Sequence, residues 1–175
     1  MSKLIPLSGK IGAGKFAVVD DDQYEELSKW RWHIVGGGYA ARKVVTDGKH
    51  IRIRMHHLVL PPKPGFFSDH INNIRLDNRR RNLRHATPSE NTYNTVIRSD
   101  NTSGYKGVTH FAGRDEWVAQ ISYKGKQSAI GYFKTKEEAA IAYNLKALEV
   151  HGEFANINDR LSPVTNFCSL WWQLD

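Results

Sequence analysis

Residues 68–91 read SDHINNIRLDNRRRNLRHATPSEN and hold the residue types that metal-assisted phosphodiester hydrolysis needs. A hard cation such as Mg²⁺ takes oxygen ligands, with phosphate and water completing its shell. The Asp69 carboxylate and the Asn91 side-chain carbonyl are the candidate ligands for one divalent ion, Mg²⁺ first and Mn²⁺ second. His70 is the candidate general base, since an imidazole with an ordinary pKa of about 6.5 can accept a proton at neutral pH. A carbonyl accepting from its other ring nitrogen would fix the tautomer, and Asn82 is the candidate orienter.

Residues so far apart meet only if short elements fold back on one another. Two apolar centres, Ile71 and Leu83, flank an Asn/Arg-rich loop, so Asp69 and His70 fall on a first strand and Asn82 on a second. Thr87-Pro88-Ser89-Glu90 then has the chemistry of a helix start: a capping hydroxyl, Pro at the first helical position and Glu to close a capping box. Asn91 falls in the first turns of that helix.

The elements DHIN, RNLR and SEN resemble the active-site motif of HNH endonucleases, especially the phage and intron-encoded homing type. The resemblance implies a ββα-metal fold around one divalent ion. It also implies His70 as base, Asp69 and Asn91 as metal ligands, and Asn82 as the residue that orients the base. Met55–Val59 (MHHLV) resembles the strand that commonly precedes this motif, with His57 in place of the usual Arg.

Charge points to the same substrate class. The chain carries 25 Lys/Arg and 18 Asp/Glu, net +7. Residues 36–98 hold twelve basic and four acidic residues, net +8, so the whole excess lies in the segment that holds the motif. Such a region is the electrostatic footprint of a polyanion binder, with nucleic acid the leading candidate, and the family resemblance implies double-stranded DNA as the partner. Arg79, Arg80, Arg81 and Arg84 are the candidate phosphate contacts, which position a duplex without reading its sequence.

Downstream, residues 105–133 alternate apolar and polar residues in three runs, and Thr135-Lys136-Glu137-Glu138 caps an Ala-rich helix that stops near Gly152. In the middle run Trp117, Ala119, Ile121 and Tyr123 share one face, and Val118, Gln120, Ser122 and Lys124 the other. Residues 103–158 resemble the plant APETALA and ethylene-response-factor DNA-binding domain, through YKGV at 105–108, WVAQI at 117–121, IGYF at 130–133 and EEAA at 137–140. The resemblance implies a three-stranded sheet laid in the major groove, backed by one helix. Lys106 and Gln120 fall on contact positions of that family, with Ser122, Lys124 and Lys126 beside them. Thr109, Ser122 and Ala129 stand where plant members carry Arg, Arg and Trp, so their target sequence does not carry over.

The expected fold class is α+β. Residues 1–98 form a nuclease domain (a β-rich region over 1–60 and a ββα-metal core over 66–98), 99–103 a linker, 104–158 the DNA-binding domain and 159–175 a tail holding Trp171 and Trp172. Gly9 to Phe16 matches a phosphate-binding loop except at its last position, where Phe16 lacks the hydroxyl that Mg²⁺ needs, and a Gly-rich hairpin turn is expected instead. No apolar run reaches the roughly 20 residues of a membrane span. The first ten residues lack a signal peptide's apolar stretch, and Cys168 is the single cysteine, which excludes disulfide scaffolds and Cys-built zinc sites. A cytoplasmic, metal-dependent DNA endonuclease of homing type is expected, and a non-catalytic DNA-binding regulator is the alternative.

Overall fold

The computed structural model describes residues 1–159; the expected tail, with Trp171 and Trp172, lies outside them apart from Asp159. The chain is mixed α+β and divides into two units, Met1–Pro88 and Ser89–Asp175.

In the first unit, β1 (Ser2–Ser8) and β2 (Phe16–Asp20) form a hairpin whose Gly-rich turn is closed by Leu7 N–H on Lys15 O, 2.9 Å. Phe16 opens a strand, as the rejection of a phosphate loop requires. Acids stand in the first turn of α1 (Asp21–Ser28), where they complement the helix dipole. β3 (Trp32–Val35) pairs parallel to β1 and antiparallel to β4 (Tyr39–Thr46), and β5 (Lys49–Arg54) closes the order β2-β1-β3-β4-β5. The β4–β5 turn is the expected Asp-Gly turn: Asp47 and Gly48 both have positive φ, 51° and 71°. Ile5, Leu7, Ala17, Val19 and Trp32 alternate inward from these strands onto Met55, Val59 and Leu83. Trp32 is fully buried and satisfies its indole N–H on Leu27 O at 2.7 Å.

Met55–Val59 forms a short helix, α2, which corrects the expected strand. Met55, His56 and Val59 are buried while His57 is only partly so and Leu58 is exposed, a spacing that one helical face provides and strand alternation does not. β6 (Phe67–His70) and β7 (Leu83–Ala86) make a separate two-stranded ribbon, and α3 (Pro88–Tyr93) follows.

In the second unit, β8 (Val108–Phe111), β9 (Glu116–Tyr123) and β10 (Lys126–Phe133) form the order β10-β9-β8, and α4 (Lys136–His151) packs on one face. Thr135 and Glu138 make both halves of the capping box, and Gly152 ends the helix with φ 55°. The division between units precedes the expected linker. The reason is local: the carbonyls that follow α3 are tied to the second unit, with Tyr93 O and Thr95 O bonded to Lys106 Nζ, and Asn94 O to Asn156.

Candidate active site

His70 ends β6 opposite Leu83, and its ring is 4% exposed. Its neighbours are aromatic and polar. The His56 ring lies edge-on at 4.8 Å between centroids and the Tyr39 ring at 5.9 Å. Nε2 lies 3.3 Å from the Asn78 side-chain oxygen, so the tautomer assigned from that acceptor carries its proton on Nε2 and leaves the Nδ1 lone pair as the basic site. Burial holds the His70 pKa below its ordinary value, against the opposing pull of the Asn78 bond and of Asp69 and Asp77. His56 is pushed down to about 3 by burial first, then by repulsion its imidazolium would meet from His70 and His57, were they protonated with it, and from Arg54, and its buried Nδ1 has no partner. His57 is lowered by burial and then by Arg54. The cluster is therefore a set of neutral imidazoles at pH 7.

Asn82 does not take the place expected of it. Its amide nitrogen donates to Asn72 Oδ1 (2.9 Å) and Asp77 O (2.8 Å), and its oxygen accepts from Asn72 N–H (3.1 Å). These bonds knit the 71–82 loop, and Asn78 presents the oxygen at His70. Asp77 completes the knot by accepting from Asn72 and Arg79, while Asn78 N–H donates to Val18 O at 2.8 Å and fastens the loop to β2. The Asn-rich run is thus a structural framework. Asn78 was hidden in it because nothing in its spacing separates it from its neighbours.

Asp69 is 8% exposed and accepts from Arg84 Nε at 3.1 Å, its direct cross-strand partner. This removes Arg84 as a free phosphate contact. Arg79 is likewise paired, with Nε 2.7 Å from Asp77 Oδ1, which raises its pKa. Arg80 donates its backbone N–H to Asp20 (2.7 Å) and a guanidinium N–H to Val59 O (3.2 Å). Arg80 and the exposed Arg81 line a cleft with Asp20, Asp21, Asp22 and Glu25. Two of the four arginines are thus held in ion pairs, Arg79 by Asp77 in its own loop and Arg84 by Asp69 across the ribbon, and the second pairing is one that no local pattern announces. Cations at the histidine cluster come from elsewhere. Arg54 and Arg75 place their guanidiniums 5.1 and 5.3 Å from the Tyr39 ring centre, and Arg75 also donates to Gly37 O at 2.6 Å.

Among the described residues no group of three or more His, Cys, Asp or Glu could hold a metal ion. The donor set fits a magnesium-type ion, which keeps most of its shell as water and substrate phosphate and asks for one or two protein oxygens. Asp69 offers such an oxygen beside His70. Asn91 lies on α3, half-buried, within the second unit.

In that unit, Gln120 and Gln127 join their side-chain amides on the sheet face turned away from α4, and Ser122, Lys124 and Lys126 are exposed. Lys106 is not available as a DNA contact. Its Nζ donates to Tyr93 O and Thr95 O, both at 2.6 Å, and burial lowers its pKa to about 8. His151 Nε2–H donates to Ser122 O at 2.8 Å, and its ring stacks on Tyr93 at 3.8 Å.

No helix among the described residues is long and apolar enough to cross a membrane. No protein-family model matches the chain, and no solved structure matches it. Over 95 residues it is 35% identical to protein 3.8 of Escherichia phage T7, an overlap of 54% of this chain and 78% of that protein. Over 149 residues it is 32% identical to a protein of Acanthamoeba polyphaga mimivirus described as an uncharacterized HNH endonuclease, an overlap of 84% and 76%. With that similarity spanning most of both chains, this protein belongs to the HNH endonuclease family.

Proposed function

We propose that the protein is a divalent-metal-dependent DNA endonuclease of homing type, which hydrolyses phosphodiester bonds to 5′-phosphate and 3′-hydroxyl ends. The observation that carries this reading is the buried, neutral His70, tied at Nε2 to Asn78 and adjacent in sequence to Asp69. In this reading β6, β7 and α3 are the ββα-metal module. His70 Nδ1 takes a proton from water as the water oxygen bonds to phosphorus; the bond from phosphorus to the 3′-oxygen breaks, and that oxygen leaves as a hydroxyl with a proton from solvent. A Mg²⁺ ion on Asp69, and on Asn91 as the family resemblance implies, would supply charge stabilisation at the phosphorane and the departing oxygen. Arg84 orients the Asp69 carboxylate, and Asn78 orients the base.

The second unit is proposed to hold the enzyme on a duplex through the outer face of β8, β9 and β10, in the manner of the APETALA-type domain. A three-stranded antiparallel sheet backed by one helix, with Gln120 and Ser122 turned away from that helix, supports this role. Supercoiled plasmid incubated with Mg²⁺ is expected to become open circle or linear, with ends that DNA ligase reseals directly. EDTA is expected to stop the reaction. Stable gel shift on a demonstrated target with no strand breakage in Mg²⁺ or Mn²⁺ would contradict the enzyme and favour a non-catalytic DNA-binding regulator.

A further inference from the structure

The β4–β5 hairpin carries an unneutralised line of cations that ends at the histidine cluster. Cross-strand partners share a face of an antiparallel pair, and here they are Ala41 with Arg54, Lys43 with Arg52 and Val45 with His50. Lys43, Arg52 and Arg54 are all exposed. None of them enters an ion pair among the described residues, and the hairpin's single acid, Asp47, sits at the far turn. Like charges directly opposite one another destabilise a strand pair, so Lys43 facing Arg52 is a cost to the fold with no internal return. At the base of the line, Arg54 lies over Tyr39, whose ring is in turn 5.9 Å from His70.

Charged edges also guard sheets against aggregation, and β5 is the outer strand. That purpose does not require a second cation on β4, an interior strand. Fixed positive charges held in line along a strand pair suit a partner with regularly spaced negative charges, and a two-stranded ribbon is of a size that a duplex groove admits. We infer that the Lys43–Arg52–Arg54 face of this ribbon binds the phosphate backbone of duplex DNA beside the His70 cluster, in the role expected of the arginine run at 79–84. The inference rests on the endonuclease reading above.

Affinity of the full chain for a duplex, measured in EDTA by fluorescence anisotropy between about 50 and 200 mM salt, tests it. Arg52→Glu is expected to weaken binding about tenfold at the low-salt end and to reduce the slope of log affinity on log salt by about 1 to 2. Its melting temperature should not fall, since the new carboxylate faces Lys43. The double change Lys43→Gln and Arg52→Gln should give a similar loss without reversing charge, so a folding defect in the first variant does not decide the matter. Lys10→Glu, an equally exposed charge reversal in the β1–β2 turn, should leave affinity and slope unchanged. Ribbon variants that bind like the parent overturn the inference, as does an equal loss from Lys10→Glu, which would reduce it to net charge. A parent chain that binds no duplex overturns the endonuclease reading itself.

Discussion

His70 and His56 show how burial can set a protonation state without an acidic partner. Both rings are nearly sealed from solvent, and removing an imidazolium from water costs more than their neighbours return, so both stay neutral. For His70 this leaves a lone pair to accept a proton. For His56 it links stability to pH. Its pKa is about 3 in the fold and near 6.5 when unfolded, so its contribution is complete above about pH 6.5 and is lost as pH falls toward 3, because the unfolded chain takes up the proton first. Urea unfolding should therefore show stability declining below pH 6.5 by at most about 1.4 kcal/mol per pH unit from this residue. His56→Phe should flatten the decline, and an unchanged slope in that variant would contradict the assignment. At this scale the DHIN motif was readable because adjacent Asp and His carry their chemistry in their types. Asn78, Arg84 and Lys106 were not, since an orienting carbonyl, a buried ion pair and a lysine held by two backbone carbonyls depend on partners that arrive from other elements.

Elements with a local cause were legible. The Asp47-Gly48 turn needs two positive φ values, the Thr135–Glu138 box closes within one helical turn, and the alternation of β9 separates buried Ala119 and Ile121 from Gln120 and Ser122, although Val118 is also buried and Tyr123 is exposed. Residues 55–59 misled because five residues are too few to separate a helical period from a strand period; Met55 and Val59 share a face in either, and buried His56 beside a less buried His57 reveals the helix only in the fold. β9 runs beyond the start of β8, and the free backbone there is satisfied piecemeal: Gln120 N–H donates to Gly107 O at 2.7 Å, Ser122 O accepts from His151, and Lys124 N–H reaches the Tyr93 hydroxyl at 3.1 Å. Gly107 makes this possible with φ +73°, and a Cβ there would collide with the Tyr143 ring. Gly107→Ala should accordingly destabilise the second unit by about 1–3 kcal/mol or more, from a strained φ together with overpacking. Hydrogen exchange of the β9 amides would register it as faster exchange, and unchanged protection would contradict this account of the turn.

Across the whole molecule, net charge located the basic half of the chain but not which of its cations stay open. The +8 segment is legible from composition, whereas its distribution is a product of folding: Arg79 and Arg84 are drawn into ion pairs with Asp77 and Asp69, while Lys43, Arg52 and Arg54 stay open on the ribbon. The division into units also follows contacts rather than composition, because the polar run at 98–104 looks like a linker but the chain is tied to the second unit already at Tyr93 and Asn94. Membership of the HNH family and the neutral imidazole at the end of β6 both direct attention to one proton transfer. Single-turnover cleavage of a duplex in Mg²⁺ by the parent and by His70→Ala, with affinity measured in parallel, tests that step most directly. The expected result is a rate at least about 10²-fold lower in the variant with duplex affinity within about twofold of the parent; cleavage by His70→Ala at the parent's rate would contradict the role assigned to this histidine.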